Sequence, residues 1–115
     1  MNATKVLTIA KEQRPTTIKD EVLYESIMIL EGEIAEMMGE DVPTNTYPNT
    51  NKDLLMPFPH DDIYAKYLMA QIDLMNQDIT QYQNDNEVFY EAFKKAKAWY
   101  RRNNRPEESS GFEVM

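Results

Sequence analysis

The chain has 115 residues, 42% of them hydrophobic and 28% charged, with a formal net charge of −8. A chain of this length buries roughly 65% of its unfolded surface, enough for one core without staples. It holds no cysteine and one histidine, which excludes disulfides and thiolate metal sites and means that a zinc site would need mostly carboxylates.

The N-terminal patch MNATKVLTIAK is too short for a signal peptide or a membrane span, so a cytosolic location is expected. Three glycines, no Asn-Gly turn and no β-branched runs predict an all-α fold. A short first helix is expected over 3–13, with Val6, Leu7 and Ala10 inward and Arg14-Pro15 ending it. Thr17 and Asp20 have the spacing of a capping pair for a second helix running to Met38. Its apolar stripe is Leu23, Ile27, Leu30, Ile34 and Met37, and Gly39 stands where a helix-ending glycine belongs.

Residues 40–59 hold four of the six prolines and predict a long loop. Its second half, with Leu54, Leu55, Met56 and Phe58, is too apolar to leave in water and is expected to dock on the fold or on a partner. Asp61 or Asp62 is expected to cap a third helix whose stripe is Tyr64, Leu68, Ile72 (or Gln71), Met75, Ile79 and Tyr82. Asn84 with Glu87 resembles another capping pair, which places a break there and gives two antiparallel helices. The stripe continues through Phe89, Phe93, Ala96 and Tyr100, so one bent helix of about 40 residues also fits the pattern. The last helix is expected to end near Asn103–Asn104, before Pro106. The domain reading is a helical bundle over 1–105, a short helix plus three longer ones, and an extended tail over 106–115.

No catalytic constellation accompanies these elements. Asp61 and Asp62 read as caps, and Asp73, Asp78 and Asp85 as solvated positions. His60 is expected to hydrogen-bond at a helix start; no phosphate loop or calcium loop occurs, and neither a metal nor a cofactor is expected. The reading is therefore a binding or assembly protein, not an enzyme.

Residues 94–105 carry Lys94, Lys95, Lys97, Arg101, Arg102 and Arg105 and no acid, a local +6 that leaves −14 for the rest. Lys94, Lys97, Arg101 and Arg105 fall on one helical stripe, which reads either as a solvated face suited to a helix C-terminus or as a dock for an acidic neighbour or for nucleic acid. General nucleic-acid binding is disfavoured, because most of the surface would repel phosphate. Tyr67 and Tyr90 lie off the main apolar stripes and read as interface tyrosines. In the tail, Phe112 and Val114 alternate with Glu113 as an extended segment does.

The string DLLMPFPHDDIYAKYLMAQID over 53–73, followed by YQND over 82–85 and WYRRNNRP over 99–106, resembles a family of small proteins of tailed phages and prophages of Gram-positive bacteria. These are head–tail connector proteins, also called adaptor or head-completion proteins. The resemblance covers just under half of the chain and carries no single diagnostic motif; 107–115 do not match. It implies a virion structural protein, located at the head–tail interface and in the host cytoplasm during assembly. It further implies a twelve-membered homo-oligomeric ring on the portal protein, in contact with neighbouring connector or tail proteins. Double-stranded DNA would pass through the ring without sequence-specific binding, and no membrane is involved. The candidate interface residues are Leu54, Leu55, Met56, Phe58, Tyr67, Tyr90, Lys94, Lys97, Arg101, Arg105, Phe112 and Val114. The alternative is a small helical module, phage or bacterial, that binds a protein partner as a monomer or dimer.

Overall fold

The computed structural model describes residues 1–41 and 47–104. Four helices account for most of them: α1 Ala3–Gln13, α2 Asp20–Met38, α3 Asp62–Met75 and α4 Ile79–Asn103. No strand occurs among the described residues beyond one isolated bridge, Asn2 to Asp53.

Local chemistry sets the helix ends. The Asn2 side chain accepts the Lys5 N–H at 2.9 Å and starts α1. Arg14 and Pro15 end it as expected. The Thr17–Asp20 capping pair does not form. Instead Thr16 Oγ1 accepts the Ile18 N–H at 3.1 Å, and α2 begins without a side-chain cap, its first turn carrying Asp20 and Glu21 at the positive dipole end. Gly39 closes α2 in the left-handed region (φ 72°), where Glu40 N–H reaches back to the Ala35 carbonyl at 2.9 Å.

Two helices, not one, follow the loop, and the break comes earlier than the Asn84–Glu87 spacing indicated. The chain turns at Asn76–Asp78, with Gln77 at φ 61° and the Asp78 N–H bonded to the Asp73 carbonyl at 2.9 Å. Asp78 then caps α4 by accepting the Gln81 N–H at 3.2 Å. Asn84 and Glu87 lie inside α4. Asp61 stands at the N-cap position of α3, but neither Asp61 nor Asp62 makes a capping hydrogen bond there.

α3 is the shared element of the bundle. It packs against α1, α2 and α4, α1 and α2 also touch each other, and the α4 backbone comes close to α3 alone, with only the Tyr100 side chain reaching α2. The core joins Val6 and Ala10 of α1, Leu23, Ile27, Leu30 and Ile34 of α2, and Ile63, Tyr64, Leu68 and Ile72 of α3, all at 1% exposure or less. α4 contributes Phe89, Phe93 and Ala96. Met75 and Ile79, expected on the apolar stripe, flank the turn and are 40% and 52% exposed, because the break takes them out of phase. Layering α4 on one side makes the molecule long and thin, 56 × 32 × 19 Å.

Candidate functional site

The apolar loop before α3 is held by a buried polar clamp. Glu31, on the inward face of α2 and 2% exposed, accepts the Tyr64 hydroxyl at 2.5 Å and the Leu55 N–H at 2.7 Å. The Tyr64 oxygen in turn accepts the Met56 N–H at 2.9 Å. Leu54 N–H bonds to the Met1 carbonyl at 2.9 Å, and Thr4 meets Thr50 through side chain and backbone. Burial pushes the Glu31 carboxyl up, against the pull of the Tyr64 and Leu55 hydrogen bonds. Burial and the adjacent Glu31 push the Tyr64 phenol up as well. The clamp satisfies loop backbone groups that would otherwise be buried unpaired.

The clamp sorts the four loop candidates. Met56 is fully buried and faces the core, Leu54 and Leu55 are half-buried against it, and Phe58 projects at 83% exposure. Beside Phe58, a groove of about 490 Å³ runs between the α3 start and α4, lined by Pro59, His60, Lys66, Val88, Ala92 and Lys95 among others. The His60 N–H bonds to the Pro57 carbonyl at 2.9 Å, and its ring lies 5.1 Å from that of Trp99.

The α4 candidates divide in the same way. Tyr67 is half-buried, its ring 5.1 Å from Phe89, and so stitches α3 to α4. Tyr90 is 57% exposed. Lys94 and Arg101 are exposed, whereas Lys97 is half-buried with its ammonium 4.8 Å from the Phe93 ring centre. Arg105, Phe112 and Val114, like the whole tail, lie outside the described residues.

Two aspartates expected to be solvated are buried. Asp73 is 3% exposed and Asp85 9%, and the α1 terminus supplies their counter-charge. Arg14 donates from Nε and Nη2 to Asp85 at 2.9 Å each, and its Nε lies 3.3 Å from Asp73. Gln81 adds a longer bond to Asp85 at 3.3 Å. One cation faces two carboxyls, so ionising the second is disfavoured. Burial first, then the hydrogen bond to Asp85, pushes Asp73 up to about 7. Burial also works against ionising Asp85, but the bonds from Asp73 and Arg14 outweigh it and hold Asp85 below its ordinary value. Asp73 Oδ2 finds no N–H or hydroxyl donor among the described residues, as suits an oxygen that holds or shares a proton. The cluster ties the end of α1 to the α3–α4 turn.

The signal for these buried acids lay in their phase. Glu31 is four residues after Ile27 and three before Ile34, and Asp85 is four before Phe89. A carboxylate on an apolar stripe needs a buried partner.

Charge divides between the outer helices. From Asp20 to Asp41 there are eight acids and no lysine or arginine, and Glu21, Glu25, Glu33 and Glu36 are exposed along α2. The exposed cations Lys94, Lys95, Arg101 and Arg102 gather in the C-terminal half of α4. None of the ion pairs among the described residues joins α2 to α4. No three His, Cys, Asp or Glu side chains converge as a metal site among the described residues, and no described helix is long and apolar enough to cross a membrane.

The chain matches no protein-family model, no curated protein and no solved structure.

Proposed function

We propose that this chain is a head–tail connector subunit of a tailed phage or prophage, a virion protein that assembles as a ring on the portal. The observation that carries the reading is the separation of charge, with acids along α2 and cations along α4, on two helices that no ion pair joins among the described residues. A subunit with two different complementary faces associates head to tail, and head-to-tail contacts form a ring when the rotation between subunits closes. The sequence resemblance over 53–106 supplies the portal as the surface that templates such a ring. Acidic residues facing a channel would let DNA pass without adhering, because like charges repel. The exposed Phe58 and its adjoining groove offer a second kind of contact, apolar with a polar rim, of the type that meets a partner protein.

The test is co-expression with the portal protein of the same genome, followed by electron microscopy of the purified assembly. A ring of this chain stacked on the portal is the expected result. The runner-up, a monomeric or dimeric module that binds a protein partner, draws its support from Phe58. It becomes the better reading if portal particles carry no added density.

A further inference from the structure

α2 and α4 run in the same direction at matched heights. The Tyr100 hydroxyl, near the end of α4, donates to the Met38 carbonyl at the end of α2 (3.2 Å), while Arg14, ahead of α2, binds Asp85 near the start of α4. The Tyr100–Met38 bond joins residues 62 apart and brings the C-terminal ends of α4 and α2 side by side. Rotation about an axis parallel to the helices preserves both direction and height. In a ring built that way, α4 of one copy meets α2 of the next in parallel and in nearly the same register.

That register is also where the side chains match. At an offset of 61, Tyr90 meets Ile29, Lys94 meets Glu33 and Lys97 meets Glu36, while Arg101 comes to the end of α2, where Glu40 follows Gly39. Apolar faces apolar at one end, and cation faces carboxylate in the rows that follow. Ile29 and Tyr90 are 62% and 57% exposed, and each of the three glutamates is exposed with no cation in salt-bridge range among the described residues. Lys94 has only a long surface pair with Glu91, at 3.5 Å.

We propose that Tyr90, Lys94, Lys97 and Arg101 of one copy dock in parallel on Ile29, Glu33, Glu36 and Glu40 of a second copy. The contact rests on the ring reading above and specifies its subunit interface. The acidic face thereby neutralises the basic stripe, and a head-to-tail geometry leaves one face of each kind free until the ring closes.

The chain has no cysteine, so the introduced thiols are the only ones through which its copies can link to each other. Ile29→Cys and Tyr90→Cys in one chain, oxidised on the portal assembly, should give a ladder of covalent multimers beyond the dimer. Either variant alone should stay unlinked, and an equal mixture of the two should stop at dimers. Glu33→Lys or Lys94→Glu alone should raise the concentration needed for assembly about tenfold or more. Both changes together should restore assembly, with helical circular dichroism unchanged throughout. Wild-type assembly without the ladder, or assembly indifferent to both charge reversals, would overturn this interface and leave the ring reading standing. A wild-type chain that never assembles with the portal overturns the ring reading, and this interface with it.

Discussion

The Tyr64 hydroxyl donates to the buried Glu31 carboxylate across 2.5 Å while accepting the Met56 N–H at 2.9 Å, so one phenol links α2, α3 and the loop between them. Tyr64→Phe removes the donor to a buried carboxyl and the acceptor of a buried amide together. The expected loss is about 3 kcal/mol, since each buried polar group left unpaired costs on the order of 1–3 kcal/mol. Glu31→Gln keeps one acceptor oxygen for two donors, so its NH2 group faces either the Tyr64 hydroxyl or the Leu55 N–H, and it should destabilise as well. Urea unfolding of the two variants gives the comparison.

Met56 and Phe58 are two residues apart and should behave oppositely. Met56 is fully buried, so Met56→Ala leaves a cavity and should cost about 2–5 kcal/mol. Phe58 is 83% exposed, so Phe58→Ser should change stability by no more than about 0.5 kcal/mol. Its effect belongs to assembly, read as a loss of portal binding at unchanged melting temperature.

The acid pair beside Arg14 makes stability depend on pH. Burial and the neighbouring Asp85 push Asp73 up to about 7 in the folded chain, well above the ordinary carboxylate range of the unfolded chain. Between that range and the folded value the folded chain holds a proton that the unfolded chain has released, so stability falls as pH rises through that window. Asp85, held low, acts in the opposite sense, and its contribution is lost only in acid below the ordinary carboxylate range. Asp73→Asn offers Asp85 an N–H in place of the proton. It should flatten the slope and overtake the wild type in melting temperature by about pH 8. A melting series from pH 5 to pH 8 checks the sign.

Arg14→Met strips both carboxyls of their cation without shortening the side chain much. Removing one partner of a buried ion pair costs about 3–5 kcal/mol. The loss should be greater at pH 8 than at pH 5, where Asp73 is protonated. Equal losses at the two pH values would contradict the shared-proton account.

Gly39 ends α2 at φ 72° with nothing within 4 Å of the position a Cβ would occupy. Gly39→Ala should therefore cost about 1 kcal/mol from backbone strain alone. Gly39→Asn, which tolerates that region better, should recover part of it. Thermal melts of the two variants separate strain from steric crowding.

These elements show which features a sequence reveals and which it hides. The ends of α1 and α2 were legible because Arg14-Pro15 and Gly39 act through their own backbones. The α3–α4 turn was not, because Gln77 takes a positive φ without being glycine or asparagine, and a capping aspartate at 78 resembles any surface acid. Asn84 and Glu87 had capping spacing but sit on a helix whose face is held by Phe89 and Phe93. Docking of the 54–56 segment was readable from its apolar content, yet the outward turn of Phe58 was not. The Arg14–Asp73–Asp85 cluster joins residues up to 71 apart, and only the fold reveals such a partnership. The phase of Glu31 and Asp85 on apolar stripes was the available hint.

Ring formation on the portal is read by native mass spectrometry of the purified chain, alone and mixed with the portal protein of its genome. The account predicts a complex in which many copies of the chain load on one portal oligomer, with a single dominant stoichiometry. A chain that stays monomeric at every concentration and leaves the portal mass unchanged would contradict it.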